Sequence, residues 1–325
     1  MQTKGYPRRQ VNATGVNEFF LLGVSEGSDF KFLFLVIFTI VYIVTVCGNV
    51  LFIATIRSQR SLHTPMYFFL ENLSVLDVSL STVIVPNLLD ILLVDHKVVL
   101  FAGCVSQIFC YQIIIVAECF LLAIMAYDRF LAICLPLQYT VVMVRPFLVG
   151  MISLCWILGI AYSLTKTLFI LRLVFCGPNV ISSFFCDAPL LSRLSCSESL
   201  GLQTFQLTAG IFVGPIPALI VVSSYVAILT TVVRIHSAEG KRKAFSTCAS
   251  HLTVVILFYG TGIFTYVIQP GLSRETEVKN AIMVVYTIVA PMLNPFIYSF
   301  RNQEVLNGWR KLLREIVLFL SNKLN

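Results

Sequence analysis

Long apolar stretches separated by short polar ones dominate the chain from residue 30 to residue 300. Seven runs stand out, with cores near 30–56, 65–94, 101–133, 146–171, 200–233, 244–269 and 278–300. Each is long enough to cross roughly 30 Å of hydrocarbon, which takes about 20 apolar residues as a helix. In that solvent every backbone N–H and C=O must bond within the protein, so helices are expected. A membrane barrel would show short alternating segments instead, and that pattern is missing from the sequence. The long third and fifth runs predict tilt or extension into water, not extra spans. Beyond residue 300, Val305, Leu306, Trp309, Leu312, Leu313 and Ile316 recur at helical spacing among basic neighbours. That stripe predicts an amphipathic helix on the inner membrane surface, the alternative being a disordered tail. The expected fold is all-α: a seven-transmembrane helix bundle with a short amphipathic C-terminal helix. Its parts are an N-terminal segment (1–29), a membrane domain (30–300) and a tail (301–325).

Composition agrees: 58% of the residues are hydrophobic and 12% charged, too thin a charged skin for a soluble protein of 325 residues. Seven spans put the termini on opposite sides, and basic residues choose the orientation. With the C-terminus inside, the inner segments hold Arg57, Arg60, Arg129, Arg145, Arg234, Lys241, Arg242, Lys243, Arg301, Arg310, Lys311, Arg314 and Lys323. Asp128, Glu239, Glu304 and Glu315 are the acids that accompany them. The net charge of +7 therefore faces anionic lipid and an inner partner, and gives no reason to expect nucleic acid. The first fifteen residues are polar, so no cleavable signal peptide is expected and the first run serves as a signal anchor. Asn12-Ala13-Thr14 is a glycosylation sequon on the expected outer side.

Chemistry enters with the polar residues inside the runs. Asp77 and Glu118 lie mid-run in the second and third, and Asn49 and Asn294 in the first and seventh. Ionisable groups at that depth cost several kcal/mol each, roughly, on insertion scales. Their similar depth predicts one buried polar cluster, either a hydrogen-bond network or a site for a cation such as sodium. Glu71 and Asp90, nearer helix ends, are expected to snorkel. Asp128-Arg129 ends the third run at its inner edge, an acid–base pair suited to an ionic latch, or simply a surface pair. Pro86, Pro217, Pro291 and Pro295 interrupt helix hydrogen bonds and predict bends. Cys104 and the three cysteines of the 172–199 loop, Cys176, Cys186 and Cys196, fall on the outer side and imply two disulfides, with three pairings open. The other cysteines read as small packing residues, and no Cys/His spacing suggests zinc. His63, His96, His236 and His251 are read as lying near helix ends or in loops, and no constellation suggests catalysis. A transporter or channel would show repeat symmetry or a charged pore, which the sequence does not.

Residues 62–70 read LHTPMYFFL, 73–77 LSVLD, 125–134 MAYDRFLAIC, 175–186 FCGPNVISSFFC, 243–252 KAFSTCASHL, 258–261 FYGT and 291–302 PMLNPFIYSFRN. This set, in this order, resembles the vertebrate olfactory receptors, rhodopsin-like G-protein-coupled receptors, in their land-vertebrate class, over residues 17–315. Phe130, Gln138 and Glu71 depart from the family's usual tyrosine, histidine and small residue. The resemblance implies a plasma-membrane odorant receptor, N-terminus outside and C-terminus inside. It would bind small, mostly neutral volatile molecules and activate a stimulatory, olfactory-type G protein that raises cyclic AMP. A receptor of the same fold sensing a metabolite outside the nose is the alternative. The resemblance also implies no enzyme activity, no cofactor other than a candidate sodium ion held by Asp77 and Glu118, and disulfides Cys104–Cys186 and Cys176–Cys196. By the same resemblance, Asp128, Arg129, Tyr225, Lys243, Asn294, Pro295 and Tyr298 are expected to carry activation and coupling. Carried over residue by residue, the ligand pocket comprises Tyr111, Gln112, Ile115, Val116, Gly210, Val213, Tyr259, Ile263, Tyr266 and Thr287. Tyr266 and Gln112 are the expected hydrogen-bond donors to a ligand. Lys166, near the outer end of the fourth run, could meet an acidic ligand, but the favoured expectation is that it snorkels to the headgroups.

Overall fold

The first helix, α1 (Lys31–Ser58), carries large apolar side chains almost all round, and Phe32, Leu33, Ile40, Ile43 and Val50 stay exposed as a lipid-facing surface. The computed structural model describes residues 18–22, 30–94, 96–175, 179–197, 200–263, 275–299 and 303–324. In order after α1 come α2 (Pro65–Val94), α3 (Phe101–Cys134), a short α4 (Pro136–Val142) and α5 (Arg145–Ile170). The loop helix α6 (Ala188–Arg193) precedes α7 (Leu200–Val213), α8 (Pro215–Arg234) and α9 (Ala238–Ile263). A final span is made of α10 (Glu275–Val284), a π-helical turn (Val285–Val289) and α11 (Ala290–Ser299), and α12 (Gln303–Leu324) follows it. Six helical stretches are long and apolar enough to cross a bilayer, and Cys248–Ile263 within α9 is a shorter apolar seventh. The seven-helix bundle is thus present. The sixth helix begins in the basic segment around Lys241, earlier than its apolar run, so it projects beyond the apolar layer.

α3 is the hub. It is the most buried span and packs against α2, α5 and α8. The face of α5 that meets it carries Cys155, Gly159 and Ser163, small residues one helical turn apart. Without a hydrophobic drive between helices in lipid, such close approach is what dispersion and hydrogen bonding require. Ser163 Oγ donates to the Phe109 carbonyl at 2.7 Å. A Cβ on Gly159 would stand 2.7 Å from the Ile113 carbonyl oxygen.

The prolines act as breaks with substitutes. Between α7 and α8 the helix is interrupted at Gly214, with Pro215 opening the next segment. Pro217 lacks the N–H that would bond the Val213 carbonyl, and the Cys119 thiol of α3 donates to that oxygen at 2.8 Å. Pro295 likewise leaves the Pro291 carbonyl without its helical donor, and Asn49 of α1 supplies one at 3.2 Å.

A small sheet departs from the all-helical expectation. β1 (Glu18–Leu22) lies between β2 (His96–Leu100), antiparallel, and β3 (Val180–Ile181), parallel. Its pairing joins segments far apart in sequence, so no local periodicity announces it. Phe19 and Leu21 point inward and are fully buried, Phe19 sitting edge-on to Phe175 with ring centroids 5.3 Å apart. Cys104 at the start of α3 is disulfide-bonded to Cys186, with Cα atoms 5.4 Å apart. Gln107 braces the same loop: its side-chain oxygen accepts from Cys186 N at 3.0 Å and its amide donates to Val83 O at 3.0 Å. At the opposite end, α12 buries Val305 and sets Trp309 edge-on to Phe296, while Arg310 and Arg314 remain exposed.

Candidate functional site

A cavity of about 760 Å³ opens between α3, α5, α7–α8, α9 and the seventh span, beneath the disulfide-bonded loop. Of the pocket residues taken from the sequence, Tyr111, Gln112, Ile115, Gly210, Val213, Tyr259 and Ile263 line it. Tyr111, Gln112 and Ile115 project together because they lie on one helical face. Val116 is buried but does not line the cavity, and Thr287 turns its hydroxyl back to the Met283 carbonyl at 2.7 Å, satisfying it within its own helix. Tyr266 lies outside the described residues. At the cavity floor, Tyr259 Oη donates to the Cys119 carbonyl at 3.2 Å, tying the sixth span to the third.

Sequence reasoning missed the α5–α7 wall: Tyr162, Gln203, Gln206, Leu207 and the loop residues Asp187 and Pro189 all line the cavity. Lys166 lines it too and is only 5% exposed, which corrects the expectation of snorkelling to headgroups. The physical cause is the α5 face: Cys155, Gly159 and Ser163 face α3, and Lys166 continues that face one turn on. The small-residue stripe was the available signal. Its Nζ stands 5.6 Å from the Tyr162 ring centroid.

Deeper in the bundle, Asn294 donates to both oxygens of Asp77 at 3.0 Å, and the Glu118 carboxyl lies within electrostatic reach of Asp77. Asn49 is fully buried but bonds to backbone, at Pro291 O and Thr45 O, and not to Asp77. Glu118 Oε2, Ser81 Oγ and Asn294 Oδ1 are buried without a hydrogen-bond partner. Carboxylate, hydroxyl and amide oxygens are the donor types a hard cation takes, though among the described residues no group of three or more His, Cys, Asp or Glu side chains is placed to hold a metal ion. Glu71 and Asp90, near helix ends, are ion-paired with Arg57 and Lys97 respectively, each at 2.5 Å.

At the end of α3 remote from the cavity, Asp128 and Arg129 are both buried, so the pair is not a surface feature. Arg129 Nη2 stands 3.5 Å from Asp128 Oδ2, and Tyr139 of α4 donates to Asp128 Oδ1 at 2.9 Å. Burial, and then the adjacent Asp128 carboxylate, push the Tyr139 phenol above its ordinary pKa, so it stays a donor. Gln138 beside it is exposed, and Phe130 stacks on Tyr127 with centroids 6.2 Å apart. Tyr225 Oη bonds His251 Nδ1 at 2.7 Å, and His251 Nε2 meets the Leu122 carbonyl at 3.2 Å. His251 is fully buried in the middle of α9, which corrects its assignment to a helix end or loop. Tyr298 is buried nearby in α11, beside Asn294 and Pro295 on the same buried face. Lys243 lies in α9, with its side chain outside what is described. Asn12 and Cys176 also fall outside the described residues, while Cys196 is disulfide-bonded.

Comparison with known proteins fits this geometry. A sequence profile for the family described as "Olfactory receptor" matches residues 38–316. Olfactory receptor 3A1 of Homo sapiens is 43% identical over 307 residues, 94% of this chain and 97% of its own length. Olfactory receptor 1G1 of Gorilla gorilla gorilla is 43% identical, covering 94% of this chain and 98% of that protein. Olfactory receptor 4E2 of Homo sapiens is 41% identical, covering 95% and 97%. Nearly end-to-end likeness of this kind, on a bundle of seven apolar helices, makes the chain a member of the olfactory receptor family of multi-pass G-protein-coupled receptors.

Proposed function

We propose that this receptor binds small, mostly neutral volatile molecules at the α3–α9 cavity and answers by activating a stimulatory, olfactory-type G protein that raises cyclic AMP. The observation that carries this reading is the cavity itself. Its volume of about 760 Å³ lies within the range of pockets for small organic ligands, and apolar side chains form most of its wall. No acid of α3 lines it, so it offers no α3 counter-ion to an amine. The receptor sits in the plasma membrane, N-terminus outside and C-terminus inside, so the cavity faces the exterior and Arg129 faces the G protein. The basic excess of the segments at the Arg129 end supports that orientation. Asp77 and Glu118 are the groups that would hold a sodium ion, with the orphaned oxygens of Ser81 and Asn294 beside them. The test is a cyclic-AMP assay in cells displaying the receptor, against a panel of volatiles. Ligand-dependent cyclic AMP is expected. Silence to every volatile, with receptor present at the surface, overturns the reading.

A further inference from the structure

The α5–α7 wall of the cavity differs from the rest of its lining. Lys166 is buried and has no carboxylate at ion-pair distance among the described residues. Gln206 faces the same cavity from α7, and its side-chain nitrogen is buried with no hydrogen-bond partner. Lys166 and Gln206 are buried donors on one wall of a largely apolar cavity and call for an acceptor, because a buried donor left unmade costs more than a bond gained returns. Asp187 contributes a carboxylate to the same cavity, within electrostatic reach of Lys166. One cation and one anion on the wall leave it without net charge. A carboxylate ligand would gain from Lys166 and lose to Asp187. An amine would gain from Asp187 and lose to Lys166. A neutral acceptor oxygen meets neither penalty.

We infer that the agonists of this receptor carry a carbonyl oxygen, as in a volatile aldehyde, ketone or ester, which accepts hydrogen bonds from Lys166 and Gln206 while the hydrocarbon body lies toward Gly210, Val213 and Ala218. This rests on the reading of the cavity as an odorant site. It adds the ligand class and the two residues that select it.

The test runs a panel of volatile aldehydes, ketones, esters, alcohols, alkanes, amines and carboxylic acids on matched carbon skeletons through the cyclic-AMP assay. Carbonyl compounds are expected to be the most potent. If no compound of any class acts on surface-displayed receptor, the odorant reading falls and this inference with it. If alkanes, alcohols, amines or acids are the most potent, the odorant reading stands and the carbonyl assignment is overturned. For the best carbonyl agonist, Lys166→Met keeps the side-chain volume and removes the donor. Its dose response should shift by about tenfold or more, as loss of a hydrogen bond to a charged donor implies. Lys166→Arg should recover part of that shift, and the response to an alkane, which has no acceptor, should stay put. Gln206→Leu gives an independent reading at a second donor if Lys166→Met fails to reach the surface. Asp187→Asn should open the response to the acid of the same skeleton. An unchanged carbonyl dose response in both Lys166→Met and Gln206→Leu, at equal surface level, overturns the inference.

Discussion

Tyr139 holds Asp128 from one side while Arg129 faces it from the other, so the buried carboxylate answers to two partners. A hydrogen bond to a charged group contributes about 1.5–3 kcal/mol. Tyr139→Phe removes the hydroxyl and leaves the ring. Basal cyclic AMP, normalised to surface receptor, should rise by about tenfold, since 1.4 kcal/mol is a factor of ten in a two-state ratio. An unchanged basal level would show that this bond does not hold the resting state. Arg129→Ala, at the same end and far from the cavity, should abolish cyclic-AMP production while agonist binding persists; retained coupling with lost binding contradicts that role. Asp77 presents a different case. Both its oxygens already accept from Asn294, with Glu118 near and orphaned oxygens around it. Thermal stability of purified receptor should rise on exchanging choline chloride for sodium chloride, and Asp77→Asn should remove that dependence. Equal stability in the two salts would leave the cluster a hydrogen-bond network alone.

At the scale of the element, α5 shows how a helix is aimed in a medium that does not care which apolar face it sees. Leu154, Ile157, Leu164 and Leu168 are exposed, and Cys155, Gly159 and Ser163 are buried against α3. Size, not hydrophobicity, distinguishes the two faces. Gly159→Leu drives a branched side chain into the Ile113 carbonyl, a backbone atom that cannot step aside. Overpacking of this kind costs about 1–3 kcal/mol. The melting temperature of detergent-solubilised receptor should fall, whereas Gly150→Leu, with nothing near its Cβ position, should leave it unchanged. Equal behaviour of the two variants would mean the α3–α5 contact is looser than the distances say.

For the molecule as a whole, the disulfide-bonded loop is the cover of the cavity and the sheet is its hem. Cys186 is linked to α3, its backbone bonds Gln107, and the next residue, Asp187, lines the cavity. Strand β1 pairs with β3 of that loop, and Phe19 packs on Phe175. Cys104→Ser and Cys186→Ser should therefore abolish surface display or ligand response alike. Normal display with a normal dose response in both would show that the cover works without its link.

The sequence by itself determined the spans, the helical bundle, the amphipathic α12 and the places of Asp77, Glu118, Asn294 and Asp128 along their helices. It could do so because the bilayer imposes a length on every span and a penalty on every polar atom within it, and both are local properties of the string. Most of the helix-three face of the cavity, Tyr111, Gln112 and Ile115, was legible for the same reason, since helical spacing alone brings them together. Tertiary structure decided what depends on rotation and on partners distant in sequence. Lys166 faces the cavity because Gly159 lets α5 close on α3, not because of anything beside it in the chain. His251 is a buried bond partner of Tyr225 and the Leu122 carbonyl because three helices meet there. Asn49 donates to the Pro291 carbonyl, 242 residues away along the chain, which Pro295 leaves without its helical donor. Hydropathy fixes how deep a residue lies in the membrane; only the packing of one helix on another fixes which way it turns.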